Sequence, residues 1–446
     1  MFGIASFRGG IHPLADQNKT AQAPIENLPA PPHVVLHMSQ HAGSPARPVV
    51  QPGDHVLIGQ MVGEPTETVS AAVHASVAGK VTVVKNFPHP RGKQGLAIVV
   101  ENDGSNETIK LPALEKPWKE AAPGELLRII ADAGIVGLGG SAFPTHIKLS
   151  PPANKPINTL ILNGVDDEPY LSADTSLMME QTEGILTGAL IIKKILGSKN
   201  VLFAVDSARQ KTVERIARRL KDVRFKDISL AKLKPKYPQG SEKQLVEALL
   251  KKQIPSGGLA ADCGCMVLNV ATAYAVWNAV CNGQALYQCV FTVSGPAIRS
   301  PKNCAAPAGT PIGYILDLCG IDWAVAKKIV LGGAMTGFAQ SDITAPLQKS
   351  TRGILAFDRL HPGVRLYDCI NCGNCVKTCP IRLIPSFLAK FIGRNKIEEA
   401  RKWGIMECIE CGACSYACPA KINLVHFMQL GKYRISGRHP AEHFHD

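Results

Sequence analysis

A chain of 446 residues is too long for one compact core, and two to four domains are expected. Its 46% hydrophobic and 19% charged residues exclude a disordered chain, and no apolar run reaches the eighteen or so residues a membrane helix needs. The formal charge is +13, with Lys and Arg spread along the chain and no basic helix interleaved with aromatics. That pattern argues against nucleic acid and leaves acidic proteins, anionic headgroups or nucleotides as partners. Fourteen cysteines and a Met1-Phe2-Gly3 start without a signal peptide predict a reducing, cytoplasmic setting.

Residues 1–30, rich in Gly, Pro, Gln and Asn, read as an irregular arm on the body of the protein. Residues 33–100 read as short strands: Val34–Met38, Val56–Ile58, Met61–Gly63, Gly79–Val84 and Ala97–Glu101. Pro52-Gly53-Asp54 and Ala78-Gly79-Lys80 punctuate them as turns. The stretch VQPGDHVLIGQMVGE followed by VHASVAGKVTVV resembles the barrel-sandwich hybrid of biotinyl and lipoyl domains. Lys80 lacks the hairpin-tip context of a modified lysine, so a docking or packing module is expected.

A helix is predicted over 125–134, and the loop GLGGSAFPTHIK follows at 137–148. Glycines let backbone N–H groups approach a phosphate or a flavin ring. The dinucleotide fingerprint requires a preceding strand, and the preceding segment reads as a helix, which excludes an ordinary Rossmann loop. A buried strand, Thr159–Asn163, delivers Asp166, Asp167 and Glu168 at its carboxyl end, where α/β domains face their ligands. A helix over 175–196, a strand Val201–Val205 and a basic helix over 207–221 continue an α/β layer. Tyr237-Pro-Gln-Gly240-Ser-Glu242 opens another helix, Pro255-Ser-Gly257-Gly258 is a second glycine turn, and Val267–Thr272 leads into an apolar helix.

Between 288 and 345 the pattern becomes Val290–Ser294 strand, Thr310–Leu318 turn and helix, and Lys328–Gly333 strand. It resembles the soluble-ligand-binding β-grasp module. Cys263, Cys265, Cys281, Cys289, Cys304 and Cys319 show no ligand spacing and read as buried or incidental thiols. Residues 346–368 read as a link.

The sharpest signal comes last. Cys369, Cys372, Cys375 and Cys379-Pro380 repeat as Cys408, Cys411, Cys414 and Cys418-Pro419. Each set is C-x2-C-x2-C-x3-C-P, the spacing of two-cluster ferredoxins, in which the fourth cysteine serves the other cluster. The expected ligand sets are Cys369, Cys372, Cys375 and Cys418 for one [4Fe–4S] cluster, and Cys408, Cys411, Cys414 and Cys379 for the second. Two zinc sites rarely use this spacing twice with Cys-Pro at both ends. Between the sets, Phe387, Leu388, Phe391 and Ile392 predict a helix. A basic helix starts at Leu424, and His439, His443 and His445 read as a solvated tail.

The order of modules, with YPQGSEKQL, PSGGLAADCGC and the tandem cluster motif, resembles the RnfC subunit family of ferredoxin:NAD oxidoreductase complexes over nearly the whole chain. The central part is similar to the flavin subunit of respiratory complex I, through GLGGSAFPTHIK and NGVDDEP. The fold this implies is multidomain α/β: an arm and barrel-sandwich hybrid (1–118), an FMN- and NADH-binding α/β domain (119–286), a β-grasp domain (287–350) and an α-helical two-cluster ferredoxin domain (351–446). By that resemblance Gly137, Gly139 and Gly140 line FMN, Lys148 meets its phosphate, and Phe143 stands by the nicotinamide. Asn163 sits on FMN and Glu168 at the NADH side. Tyr237, Gly240 and Glu242 form a second wall, with Glu168 and Glu242 orienting the nicotinamide, and Asn269 and Thr272 close the phosphate end. Val165 departs from an Asp in the complex I pattern, and Ile254 from an aromatic.

The implied activity is electron exchange between NAD(H), through FMN, and two [4Fe–4S] clusters. The implied place is peripheral, on the cytoplasmic face of the bacterial inner membrane, held by integral-membrane and ferredoxin-like subunits that couple the reaction to ion transport. Three alternatives stay open at this point. One is a non-catalytic iron–sulfur relay with an empty flavin pocket, and another is the cobalamin reductase of microcompartments. The third, a quinone-binding subunit like that of the sodium-pumping NADH:quinone complex, lacks the clusters.

Overall fold

The computed structural model describes residues 4–13, 20–21, 23–92, 94–112, 114–359 and 367–437. The histidine-containing tail lies outside the described residues.

The first domain packs two small sheets face to face. One orders His33–His37, Gln94–Asn102, Gly79–Pro88 and His55–Val56 as antiparallel neighbours; the other orders Arg47–Pro48, Met61–Glu64 and Val73–His74. Inward residues alternate along the strands, as a half-buried sheet requires, and Val34, Leu36, Val56, Val62, Val81, Ile98 and Val100 form the shared core. Lys80 is exposed inside a strand opposite His55 and Glu101. It therefore lies within a paired strand rather than at a hairpin tip.

The second domain is a four-stranded parallel sheet ordered Ile228–Leu233, Asn200–Asp206, Thr159–Gly164 and Cys265–Asn269. The central strand Thr159–Gly164 is apolar almost throughout because both of its faces are covered. Helices Pro123–Asp132, Thr182–Leu196 and Val270–Asn282 share one core around Leu160, Leu162 and Phe203. Helix Glu242–Leu250 covers the other face through Leu245, Val246 and Ala248. Val165 and Ile254 belong to this second core, so both departures from the complex I pattern are packing residues here. Two helices pass unusually close: a Cβ on Gly188 would overlap the Ala273 carbonyl oxygen. The helix expected over 175–196 is two helices, Ala173–Glu180 and Thr182–Leu196. Gln181 leaves helical geometry at φ −113°, ψ 30°, and the first piece turns to pack on the Gln288–Ser294 strand of the next domain.

The third domain is a six-stranded sheet ordered Ile25–Asn27, Lys302–Pro307, Gln288–Ser294, Gly353–Phe357, Lys328–Leu331 and Phe338–Gln340, with helix Ile312–Leu318 over it. Gly353–Phe357 pairs with strands on both sides, so this sheet continues past the expected boundary at 350. Ile25–Asn27 joins the far edge, so this part of the expected irregular arm is a strand of the sheet. The extra cysteines are buried as expected except Cys281, which is exposed.

The fourth domain is helical: Asn374–Thr378, Pro385–Gly393, Ile397–Lys402, Ala413–Tyr416 and Leu424–Ser436. Leu388, Ile392, Leu424 and Met428 pack with Cys375, Cys414 and Cys418 in one core. No described helix is long and apolar enough to cross a membrane.

Candidate flavin cleft and cluster sites

In the parallel sheet, chain connections leave Thr159–Gly164 toward one side and return to Cys265–Asn269 on the other. Ligands of open α/β sheets bind outside the carboxyl ends of strands at such a switch point. Asn163 and Asn269 are register partners there. Asn269 caps helix Val270–Asn282 by accepting from the Ala271 N–H at 2.7 Å, and its Nδ2 donates to Asp174 at 2.7 Å. Asn163 Nδ2 donates to the Gly240 carbonyl at 2.9 Å, while the Gly240 N–H donates to Asp167 at 2.7 Å. The end of strand Thr159–Gly164 is thereby fixed by two hydrogen bonds to the loop at 237–241.

The glycine loop closes on itself: the Gly137 N–H donates to the Phe143 carbonyl at 2.8 Å and the Ala142 N–H to the Gly137 carbonyl at 3.0 Å. It is braced from below, since the Leu138 N–H donates to Thr272 Oγ1 at 3.0 Å and Gly139 lies against Asn269. Gly140, at φ +107°, has open space where a side chain would stand.

Above these loops lies a cleft of about 370 Å³. Of the residues expected from sequence, Gly139, Gly140, Glu168, Tyr237 and Gly240 line it. Asn163, Asn269, Thr272 and Gly137 stand behind as braces. Lys148 and Glu242 do not line it; they pair with each other at 2.9 Å, and Phe143 is half-buried outside the lining. Glu168 accepts from the Met335 N–H at 2.9 Å and from Thr336 Oγ1, both on the β-grasp domain. A Cβ on Gly333 would overlap the Glu168 carboxyl group, so the close approach of these two domains requires a glycine there.

Burial shapes the electrostatics. It pushes the Asp167 carboxyl up to about 7, against the Gly240 hydrogen bond, with Glu168 adding to the rise. Burial likewise raises Glu168, while the hydrogen bonds from Thr336 and Met335 oppose it. Arg352 supplies the counter-charge, reaching Asp166 at 3.1 Å and Asp174 at 3.0 Å. Sequence reading missed Arg352 because it sits in a short basic stretch that looked like linker, next to a strand that only sheet pairing reveals.

The cluster repeat extends into the backbone. Asn371 and Gly373 are left-handed at φ 55° and 75°, and Glu410 and Gly412 repeat this at 53° and 74°. After each Cys-Pro, Arg382 and Lys421 are left-handed at 62° and 57°. Cys379, Cys408, Cys411 and Cys414 line one small cavity. Backbone N–H groups of Leu383 and Glu410 point at the Cys379 and Cys408 sulfurs at 3.3 and 3.4 Å, the contacts that tune a cluster's potential. Among the described residues no three His, Cys, Asp or Glu side chains converge on a single metal ion. Four cysteines around one cavity, at the repeated spacing, suit a four-iron cluster. Of the other set, Cys375 and Cys418 are buried in the same core, and Cys372 is exposed.

Cys411 and Ile409 line both the cleft and the cluster cavity. The two candidate sites share a wall.

Comparison with known proteins finds family matches over three regions of the chain. Family models match as an RnfC barrel-sandwich hybrid domain over residues 5–105, a Nuo51 FMN-binding domain over 130–278 and a 4Fe-4S dicluster domain over 368–422. The fold resembles a chain of an NAD+-reducing [NiFe]-hydrogenase, with TM-score 0.51 and 17% identity over 74% of this chain and 63% of that one. A subunit of the proton-translocating ferredoxin:NAD(+) oxidoreductase complex of Clostridium ljungdahlii is 40% identical, covering 90% of this chain and 87% of its own. Its Na(+)-translocating counterpart from Acetobacterium woodii is 39% identical over 96% and 97%. The corresponding subunit of the ion-translocating oxidoreductase complex of Rhodobacter capsulatus is 39% identical over 98% and 85%. With its cleft, its cluster loops and these relatives in agreement over nearly its full length, the chain belongs to the RnfC family, one of the subunit families of ion-translocating ferredoxin:NAD oxidoreductase complexes.

Proposed function

We propose that the chain exchanges electrons with NAD(H) in the cleft and relays them to the cluster held by Cys408, Cys411, Cys414 and Cys379. The observation that carries this is the wall shared by cleft and cluster cavity at Ile409 and Cys411. FMN, when bound, supplies the conversion between a two-electron hydride donor and one-electron clusters. The glycine loop, with open space over Gly140, offers the cradle for FMN; Asn269 and Thr272 brace that cradle, and Asn163 fixes the facing loop at Gly240. Glu168, fixed by the Met335 N–H and Thr336, stands on the side of the cleft where it orients the nicotinamide, and burial of Glu168 and Asp167 limits the negative charge there. Tyr237 seals the side next to Cys411. Packing of the β-grasp and barrel-sandwich domains around the cleft excludes water. The second cluster, with Cys372 at the surface, is the outlet toward partner subunits. We place the chain at the cytoplasmic face of the membrane, attached through those partners.

The test is anaerobic. The chain is loaded with iron, sulfide and FMN and titrated with NADH, while flavin bleaching and the low-temperature EPR of reduced clusters are followed. About eight irons per chain, flavin bleaching and subsequent cluster signals are expected. Eight irons with no flavin retained and no response to NADH would reduce the chain to a relay. In the same assay Glu168→Gln slows NADH oxidation while both clusters stay intact; loss of cluster iron in that variant would remove Glu168 from the dinucleotide site.

A further inference from the structure

Part of the cleft wall comes from outside the α/β domain. Gln40 and Arg91 stand on the barrel-sandwich domain and Gln348 beside the β-grasp sheet, and all three line the cleft. Gln40 is 3% exposed. Its Oε1 accepts from the Lys349 N–H at 3.3 Å, which orients the amide and leaves Nε2 buried without a partner. Gln348 is 9% exposed. Its Nε2 donates to the Pro346 carbonyl at 3.2 Å, leaving Oε1 buried without a partner. One spare donor and one spare acceptor therefore stand on the same wall. Buried amide groups are ordinarily paired, and an unpaired one is a standing cost that a ligand can remove. A primary carboxamide offers the complementary set, a carbonyl that accepts and an NH₂ that donates.

Arg91 adds a cation on a braced loop. The Arg91 N–H donates to His89 Nδ1 at 3.2 Å, the Gly92 N–H to the His89 carbonyl at 2.9 Å, and Gln340 Nε2 to the Pro90 carbonyl at 2.7 Å. The His89 ring packs edge-on against His37 at 4.8 Å. A guanidinium carried on a braced loop suits a phosphate. A ligand with a carboxamide ring and phosphates fits a wall with these groups; it is a nicotinamide dinucleotide.

We propose that the barrel-sandwich and β-grasp domains supply the recognition wall for the nicotinamide dinucleotide, with Gln40 and Gln348 reading its carboxamide and Arg91 a phosphate. This rests on the reading of the cleft as the dinucleotide site. The test is calorimetry on the full chain, loaded with both clusters and FMN, with NAD+ and with ADP-ribose, which keeps the phosphates and lacks the carboxamide. FMN affinity is measured separately on flavin-free protein. Gln40→Met and Gln348→Met are each expected to weaken NAD+ about tenfold and leave ADP-ribose and FMN unchanged. Arg91→Gln weakens NAD+ and ADP-ribose alike by about tenfold, and Arg91→Lys recovers part of the loss. If the wild-type chain binds both ligands and the variants bind them equally well, the wall has no such role and the cleft reading stands. If the glutamine variants weaken FMN and spare NAD+, the pair reads the flavin and the proposal fails. If the wild-type chain binds neither ligand, the cleft reading falls and the proposal with it.

Discussion

The Tyr237 phenol donates its hydrogen to the Cys411 carbonyl oxygen at 2.7 Å. Burial raises the phenol well above its ordinary pKa, so it remains a donor at any working pH. The Ile11 N–H donates to the Tyr237 carbonyl and the Gly10 N–H to the Thr378 carbonyl, both at 2.9 Å. The arm thereby ties the cleft loop and the cluster loops together. Tyr237→Phe removes one buried hydrogen bond and is expected to cost about 1 kcal/mol. Iron content stays at about eight per chain, while reduction of the clusters by NADH slows. Stopped-flow absorbance and iron analysis check both; loss of iron would make Tyr237 a cluster-site residue instead.

Cys379 belongs by sequence to the first cysteine set, yet lines the cavity with Cys408, Cys411 and Cys414 of the second. Cys379→Ala is expected to lower iron from about eight to about four per chain, sparing the cluster of Cys369, Cys372, Cys375 and Cys418. EPR of the reduced variant distinguishes the two; damage confined to the Cys369 set would overturn the crossed arrangement.

Asp167 gives a pH dependence. Burial lifts its folded-state pKa from the ordinary 3.8 to about 7. Between those values the folded chain binds a proton that the unfolded chain does not. The stabilisation is therefore complete below the unfolded value and is lost as pH rises through about 7. Asp167→Asn keeps the acceptor for the Gly240 N–H and removes the titration. It should be more stable than wild type at pH 8, by on the order of 2 kcal/mol, with the advantage gone near pH 4. Urea midpoints at the two pH values measure it, and an equal difference at both would refute the assignment.

Arg352 holds two buried carboxylates from a different domain. Removing one member of a buried ionic group leaves the others uncompensated, at a cost of about 3–5 kcal/mol. Arg352→Met is expected to lose roughly that much in guanidinium unfolding and to loosen the β-grasp domain from the α/β domain. Hydrogen exchange should rise first at Ala173–Glu180 and Gly353–Phe357. Unchanged protection at both segments would show that the ion pairs do not hold the domains together.

Much of the site was legible in the sequence where chemistry imposes spacing. The cluster cysteines are readable because a cubane needs thiolates at fixed intervals, and the repeat persists in the paired left-handed residues around them. The loop at 137–142 and the acidic strand end stood out because α/β domains face ligands at the carboxyl ends of strands, and Gly139, Gly140, Asp167 and Glu168 do line the cleft. Lys148 and Glu242 were less legible. Their opposite charges can satisfy one another across 94 residues, and a motif cannot show which partner a charge will choose. The missing strands of the β-grasp sheet, Ile25–Asn27 at its edge and Gly353–Phe357 in its interior, are too short to carry a period and are ordered by pairing with their neighbours.

The sequence by itself determined the tandem cysteine spacing and the strand–helix alternation of the central region, because both depend on local spacing and periodicity, while the division into modules came with the resemblance to the RnfC family. Tertiary structure alone decided where these meet. Cys411 serves as the wall of both sites, Arg352 reaches back from the β-grasp sheet to Asp166 and Asp174, and Gln40 and Gln348 come together on one cleft. The physical reason is that burial and pairing join residues hundreds of positions apart, and desolvation, which sets the charge of Asp167 and Glu168, exists only once the domains have closed over them.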